Sequence, residues 1–298
     1  MKAVVSIIIR TLNEEVNLEE LLRSIYSQSI LNYQIEIIVV DSGSTDKTIK
    51  IASTYGAKII HIRKEDFTFG RSLNLGCESA NGKYFIFVSG HCIPTDINWI
   101  ENLLSPIRLR ICGYTYGKQI GRDTTKFSEN QVFRKYYPEN SMIPQEGFFC
   151  NNANAAIDKD IWQKYKFDEE LTGCEDMSLA KSYVNDGGKL GYVANATVFH
   201  IHNESWKNVR RRYERESVAL QKIMPEVQIT LYDLVYFILI GVLKDLKAAF
   251  RRKVFLSEFY EIICYRFNQF MGSYHGNHIT REASNKMKQE YFYPREKR

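Results

Sequence analysis

The sequence has no CxxC pair and no close cysteine framework. Its six cysteines, Cys77, Cys92, Cys112, Cys150, Cys174 and Cys264, are scattered, which excludes a disulfide scaffold or zinc knuckle and fits a reduced, cytoplasmic setting. Proline is scarce, 6 in 298 residues, and glycine modest at 17, so the chain is neither collagen-like nor of low complexity. A long hydrophobic run is missing too. The longest, Leu234 to Leu243, lies between Asp233 and Lys244; as a helix it reaches ~15 Å, half a bilayer core, and no membrane span is predicted. The apolar start, Ala3 to Ile9, runs into Arg10 and Glu14-Glu15 without a small-residue cleavage site, so it reads as a strand and not a leader. No charge of one sign dominates, with 40 Lys/Arg against 35 Asp/Glu. The excess lies at one end: 18 basic and 11 acidic residues from Asn203 onward, +7, leave 22 and 24, −2, before it. Nucleic-acid binding is therefore disfavoured.

What is present is an alternation of strands and helices. Ala3 to Ile9 is a continuous apolar run, as in a strand covered on both faces. Leu18, Leu21, Leu22 and Ile25 then recur at helical spacing behind Asn17, a candidate cap. A second strand, Ile35 to Val40, runs into Asp41-Ser42-Gly43-Ser44-Thr45-Asp46, a turn that can cap a helix carrying Ile49, Ile51, Ala52 and Tyr55. Strands at Lys58 to Ile62 and Tyr84 to Val88 flank a short helix at Ser72 to Ala80. Such alternation predicts an α/β fold, a doubly wound, mostly parallel, Rossmann-like sheet. Ligands bind such sheets at the carboxyl ends of their strands, where three polar clusters converge: Thr11 to Glu14, Asp41 to Asp46 and Ser89 to His91. The stretch Leu109 to Glu146 yields no clear element and reads as a loop. Asn151 to Ile157 is a polar turn entering a strand, Asp160 to Tyr165 a helix, and Glu175-Asp176 opens another. Strands at Leu190 to Val193 and Thr197 to His200 follow. Beyond Ser205 the pattern is helical and basic, with a frayed tail expected from Lys286.

Several of these residues can carry chemistry. Asp41 can accept hydrogen bonds from a base or ribose, or merely form a turn. Glu175-Asp176 sits where the helix dipole favours ionised carboxylates, suited to a base as well as to a cap. His91 and the pair His200 and His202 can ligate a divalent ion or steady a phosphate; the pair shares one strand face, so only one of them need touch a ligand.

In order, VSIIIRTLNEE (Val5 to Glu15), IIVVDSGSTDKT (Ile37 to Thr48), GRSLNLGCESANGKYFIFVSGHCIP (Gly70 to Pro94), NNANAAI (Asn151 to Ile157), FDEEL followed by GCEDMSLAKSYVNDGGKLGYV, and ATVFHIH resemble the family 2 glycosyltransferases of GT-A fold, over about Val4 to Asn203. The resemblance implies transfer of a sugar from a nucleotide-sugar donor, a UDP-sugar by default, to a hydroxyl of a glycan or lipid-linked glycan in surface polysaccharide biosynthesis. It implies that Thr11, Asn13 and Glu14 form the first nucleotide-binding loop and that Asp41 contacts the base. Arg71 and Asn74 would border the nucleotide and donor sugar. Asp176 matches the catalytic base, Glu175 an acceptor-side residue, and His200 the histidine that closes on metal or diphosphate. Where the family carries Asp-x-Asp, this chain has Ser89-Gly90-His91. A hydroxyl replaces the carboxylate that touches ribose and an imidazole the one that binds Mg²⁺ or Mn²⁺, leaving two readings, a divalent cation or a metal-free diphosphate site. The missing carboxylates also motivate an alternative, a non-catalytic binding or scaffold protein of this fold.

The expected organisation is thus a catalytic domain, 1–204, and a basic helical extension, 205–298. Basic clusters at Lys207 to Arg215 and Arg251 to Lys253 flank the Leu234 to Leu243 run, and the extension either packs on the catalytic domain or attaches peripherally to an anionic membrane surface.

Overall fold

The computed structural model describes residues 3–29 and 33–292. The chain divides into two compact units, residues 1–125, 132–171 and 175–202 in the first and residues 126–131, 172–174 and 203–298 in the second. Two short stretches upstream of 204 thus group with the C-terminal helices. From the start the elements are β1 (Ala3–Thr11), α1 (Leu18–Tyr26), β2 (Tyr33–Asp41), α2 (Thr48–Thr54), β3 (Lys58–His61), α3 (Phe69–Glu78) and β4 (Tyr84–Ser89). Then come β5 (Cys92–Pro94), α4 (Trp99–Arg108), β6 (Tyr114–Ile120), α5 (Phe127–Tyr136), β7 (Asn154–Asp158), α6 (Lys159–Tyr165), α7 (Glu175–Asn185) and β8 (Leu190–His200).

The strands form one sheet in the order β3-β2-β1-β4-β7-β6-β8-β5. Strands β1 to β4 run parallel, as do β6 and β8; β7 is antiparallel to both its neighbours and β5 to β8. The β1 run is apolar throughout because both its faces are covered, its residues pointing alternately up and down. Val5, Ile7 and Ile9 meet Leu18, Leu21, Leu22 and Ile25 of α1 and the Trp99 side of α4. Ile8 faces the other layer, with Leu73 of α3, Trp162 of α6 and Leu179 of α7. Strand order reverses at β1, whose neighbours are β2 and β4, and this is the switch point where an open α/β sheet leaves a crevice. Pairing of Thr11 with Asp41 and of Arg10 with Ser89 brings three strand ends to that edge.

Some expectations need correction. The Leu109 to Glu146 stretch holds β6 and α5, not a loop. Tyr114, Thr115 and Tyr116 are buried in the sheet, yet their signal is masked by Gly113 and Gly117, which read as turn residues. Gly117 serves close approach instead: a Cβ there would lie 2.1 Å from the Ala196 carbonyl oxygen and 2.4 Å from Asn154 Nδ2. Helix α3 begins at Phe69, earlier than Ser72, because the Thr68 hydroxyl accepts the Arg71 N–H at 3.1 Å. Asn17 precedes α1 without a side-chain cap; the Glu14 carbonyl takes the Asn17 and Leu18 N–H groups. The two expected C-terminal strands are one, β8, with a register shift against β6.

In the second unit α8 (Trp206–Ile223), α9 (Leu231–Arg251) and α10 (Phe255–Phe292) follow. Helix α10 lies close on α8 at Gly272 and Gly276, where a Cβ would come within 2.3 and 2.2 Å of the Arg210 and Glu214 carbonyl oxygens. The Arg266 guanidinium grips buried Asp245 at 2.7 and 2.9 Å, joining α10 to α9. Of the expected frayed tail, residues 286–292 belong to α10 and residues 293–298 lie outside the described residues.

Replacing Gly117 by alanine should cost about 1–3 kcal/mol through overpacking against backbone that has no room to retreat. Urea unfolding of Gly117→Ala checks this, and an unchanged midpoint would remove close approach as the reason for the glycine.

Candidate active site

The β2 turn is built around Asp41, which is 1% exposed. Its carboxylate accepts the Gly43 and Ser44 N–H groups, each at 2.9 Å, and the Thr11 hydroxyl at 3.1 Å. These bonds make it the peg of an Asx turn. Gly43 takes φ 99°, a conformation open to glycine. Asn13 adopts φ 56°, which Asn tolerates, and its side-chain oxygen accepts the Thr45 N–H at 2.8 Å while its own N–H reaches Ser44 Oγ at 2.8 Å. The loops after β1 and β2 are thereby clamped together. Asp46 adds to the clamp, its Oδ1 accepting the Thr48 N–H at 2.9 Å and its Oδ2 the Glu15 N–H at 3.0 Å.

Asn74 does not sit at this edge with spare hydrogen bonds. It is buried, its Nδ2 donating to the Phe167 carbonyl and Glu169 at 2.9 and 2.8 Å, its Oδ1 accepting from Trp162 Nε1 and the Phe167 N–H at 3.1 and 3.0 Å. Every polar valence is spent on the 167–169 loop and on Trp162, so Asn74 braces the fold through all its hydrogen bonds. Arg71 is exposed in the first turn of α3. Ser89 is half-buried, its N–H bonded to the Ala153 carbonyl at 3.3 Å.

Across the crevice lies the carboxylate pair. Glu175 is buried and receives Arg10 Nη1 at 3.1 Å; the Arg10 guanidinium also stacks over Phe69 at 4.8 Å. Asp176, 8% exposed, accepts the Asn152 N–H at 2.8 Å on one oxygen and the Met177 N–H at 2.7 Å on the other. Burial above all, then the neighbouring Glu175 charge, pushes its carboxyl up to about 7, against the pull of those two N–H groups and of Arg10. Between its ordinary 3.8 and that value, the folded chain keeps a proton that the unfolded chain has lost. Ionising Asp176 therefore lowers stability as pH rises through this window. Asn152 is 2% exposed; its side-chain oxygen accepts Tyr114 OH at 2.6 Å, and its amide nitrogen is buried without a partner.

The third group is aromatic nitrogen. His91, His200 and His202 bring their ring nitrogens within 4.8 Å of one another, with ring centroids 5.1 Å apart for His91 and His200 and 4.1 Å for His200 and His202. Both members of the β8-end pair thus adjoin His91, where one was expected. Glu14 Oε1 lies 2.7 Å from His91 Nδ1, and Gln119 Oε1 lies 2.6 Å from His200 Nδ1. Such bonds orient the rings from behind, as the outer partners of metal-bound histidines do. Gly90 makes room for this, since a Cβ there would lie 2.8 Å from Glu14 Cγ. The Glu14 side chain therefore faces the His91 imidazole. Three imidazoles fit Mn²⁺ and other borderline ions better than Mg²⁺, which prefers an oxygen shell.

Sequence reasoning missed Arg10, Asn152 and Gln119 as supports. The only signal was a polar residue ending or interrupting an otherwise apolar strand, and for Asn152 a run of asparagines.

An open sheet with a clamped loop pair at its switch point, facing a buried carboxylate and an imidazole cluster, is the GT-A architecture of nucleotide-sugar transferases. Residues 6–166 match the model of Glycosyl transferase family 2, and the chain belongs to that family; it is a glycosyltransferase. Over 221 residues it is 27% identical to the O-antigen chain rhamnosyltransferase RfbN of Salmonella typhimurium, covering 70% of each chain. With the O-antigen chain rhamnosyltransferase WbaN of Salmonella anatum it shares 27% over 197 residues, 62% of each chain and so less than two thirds of that relative. Among solved structures it resembles the mannosyltransferase PcManGT of Pyrobaculum calidifontis in complex with GDP-Man and Mn²⁺, with a TM-score of 0.64 and 16% identity, covering 96% of this chain and 88% of that one. That likeness is one of fold.

Arg10→Met should leave Glu175 buried without its cation and lower unfolding free energy by about 3 kcal/mol. Denaturant titration measures this, and a loss under about 0.5 kcal/mol, the level of ordinary surface changes, would mean the pair does not brace the site.

Proposed function

We propose that this chain moves a sugar from a nucleoside diphosphate donor to a hydroxyl of a growing surface glycan, with inversion at the anomeric carbon. Asp176 is the base: it takes the acceptor proton as the hydroxyl oxygen bonds to the anomeric carbon, and the bond from that carbon to the diphosphate breaks. The observation that carries this reading is the placement of Asp176, poised near pH 7 and held by the Asn152 and Met177 N–H groups beside the Arg10 end of β1. The partnerless Asn152 amide next to it supports the reading as hydrogen-bond capacity kept for a ligand. Thr11, Asn13, Asp41 and Ser89 shape the nucleotide side, exposed Arg71 is a cation for the donor, and Glu175 sets the charge felt by Asp176. The two Salmonella relatives named for O-antigen chains favour a surface polysaccharide as the product.

His91, His200 and His202 would hold a divalent ion, with Glu14 and Gln119 orienting two of the rings. When bound, such an ion neutralises the departing diphosphate. Six free thiols support a reducing, cytoplasmic workplace. Among the described residues no helix is long and apolar enough to cross a membrane, and a lipid-linked acceptor would bring the enzyme to the membrane's inner face.

Transfer is tested with uridine, guanosine and deoxythymidine diphosphate sugars on lipid-linked and free glycan acceptors; release of nucleoside diphosphate with no donor tried would overturn the activity assigned. Because only the ionised carboxylate accepts a proton, kcat/KM should fall as pH drops through about 7. Asp176→Asn should lose about 10²- to 10⁴-fold, and Glu175→Gln should move the limb to lower pH. A wild-type rate for Asp176→Asn would refute the base.

For the metal, Mn²⁺ titrated into metal-free enzyme and followed by its paramagnetic resonance should bind more tightly than Mg²⁺ in competition, and Gln119→Leu should weaken it about 10- to 100-fold. Unaltered Mn²⁺ binding in His91→Ala would take the imidazoles out of this role.

A further inference from the structure

The second unit carries an apolar surface that its own helices leave uncovered. On α9, Tyr232, Tyr236, Leu239, Leu243 and Phe250 form one stripe at helical spacing, each between 46% and 76% exposed. The opposite face of α9 does the packing: Leu234, Asp245 and Ala249 are buried, and Gly241 lies against Phe270 and Arg266 of α10. Helix α10 repeats the pattern. Leu256, Tyr260, Ile263 and Phe267 are exposed at spacings of four, three and four, while Ile262, Tyr265, Arg266 and Gln269 face inward. At the turn between the helices the Phe250 ring lies 6.5 Å from that of Phe255, next to Leu256. An uncovered apolar face of this length on a protein surface marks a place of contact.

Charge identifies the partner. Lys244, Lys247, Arg251, Arg252 and Lys253 are all exposed. Between Asp233 and Glu258 the sole acid is Asp245, which is buried and consumed by Arg266. A surface that meets this hairpin offers apolar depth and negative charge together, as the boundary of acyl chains and headgroups in an anionic bilayer does. Tyrosines and phenylalanines beside lysines and arginines are the residue types that settle at that depth.

We propose that α9 and the first half of α10 form an interfacial hairpin that lies in the surface of an anionic lipid bilayer, its stripes in the acyl boundary and its five cations on lipid phosphates. The hairpin lies on the bilayer and does not cross it. The proposal supplies a partner to the function proposed above, and vesicle binding is measured without donor or acceptor, so failure of one and failure of the other are separately visible.

The full chain is floated with phosphatidylcholine vesicles, with and without phosphatidylglycerol, at low and high salt. It should float only with the anionic vesicles, less at high salt. The variant Lys244→Glu, Lys247→Glu, Arg251→Glu should lose about a hundredfold in partition at low salt. The variant Tyr236→Ser, Leu239→Ser, Leu243→Ser should also detach, with unchanged circular dichroism because these side chains are exposed. Trp fluorescence of Leu239→Trp should shift to shorter wavelength on vesicles and be quenched by brominated lipid. The proposal is overturned if the wild type ignores anionic vesicles at low salt, if the serine variant floats like wild type, or if brominated lipid leaves the indole unquenched. It is overturned equally if the serine substitutions dissolve a dimer of the chain and leave vesicle binding intact, for the face then belongs to a second copy.

Discussion

The contact between Arg10 and Glu175 is the constraint around which the candidate site is arranged. It links the last residues of the first strand to a helix start 165 positions later, and both partners are largely withdrawn from water, where a charge is tolerated only with its counter-ion in place. Once that pair is made, the next residue of the helix has little freedom. Asp176 must lie beside the β4 and β7 ends, where the backbone of Asn152 meets it. Its raised proton affinity then follows from the same arrangement: Glu175 adds negative charge next door, and closing the edge removes the water that would have screened it.

The imidazole cluster reaches a different balance. Rings stack at contact distances, whereas carboxylates this close repel, so His91, His200 and His202 can be packed together with Glu14 beside His91. The chain thus gathers its carboxylates at Glu175-Asp176 and its aromatic nitrogen at the β8 end. Ser89 and His91 in place of two carboxylates therefore belong with Gln119 and Glu14, which support the rings, and with Gly90, which lets Glu14 reach them.

The parallel half of the sheet was legible because its physics is local. Leu18, Leu21, Leu22 and Ile25 repeat at helical spacing, and Ala3 to Ile9 is apolar in every position because both faces are covered. The second half was not, since β6 mixes Thr115, Lys118 and Gln119 with two glycines, and its stability comes from neighbours distant in the chain. Of the site, the Asx loop and Glu175-Asp176 were readable as turn and helix-start chemistry. Arg10 was not, since a single arginine ending a strand reads as solvated until its partner is placed. The bracing role of Asn74 was hidden for the converse reason: an asparagine in a polar stretch gives no hint that all its hydrogen bonds are taken by the fold.

The reversed strand β7 has a consequence for how this scaffold diversifies. Because it runs against β4 and β6, the chain arrives at the reactive edge before the strand begins, through residues 138–153, and leaves at the far edge. The backbone that grips Asp176 is thus the terminus of a long excursion, while the turns after β1 and β2 are tied to each other through Asn13, Glu15 and Asp46. The excursion is fastened instead to β8, through Met142 and Gln145, so substitutions in its remaining residues can reshape one wall of this edge while the clamp of Asn13 on Thr45 stays as it stands.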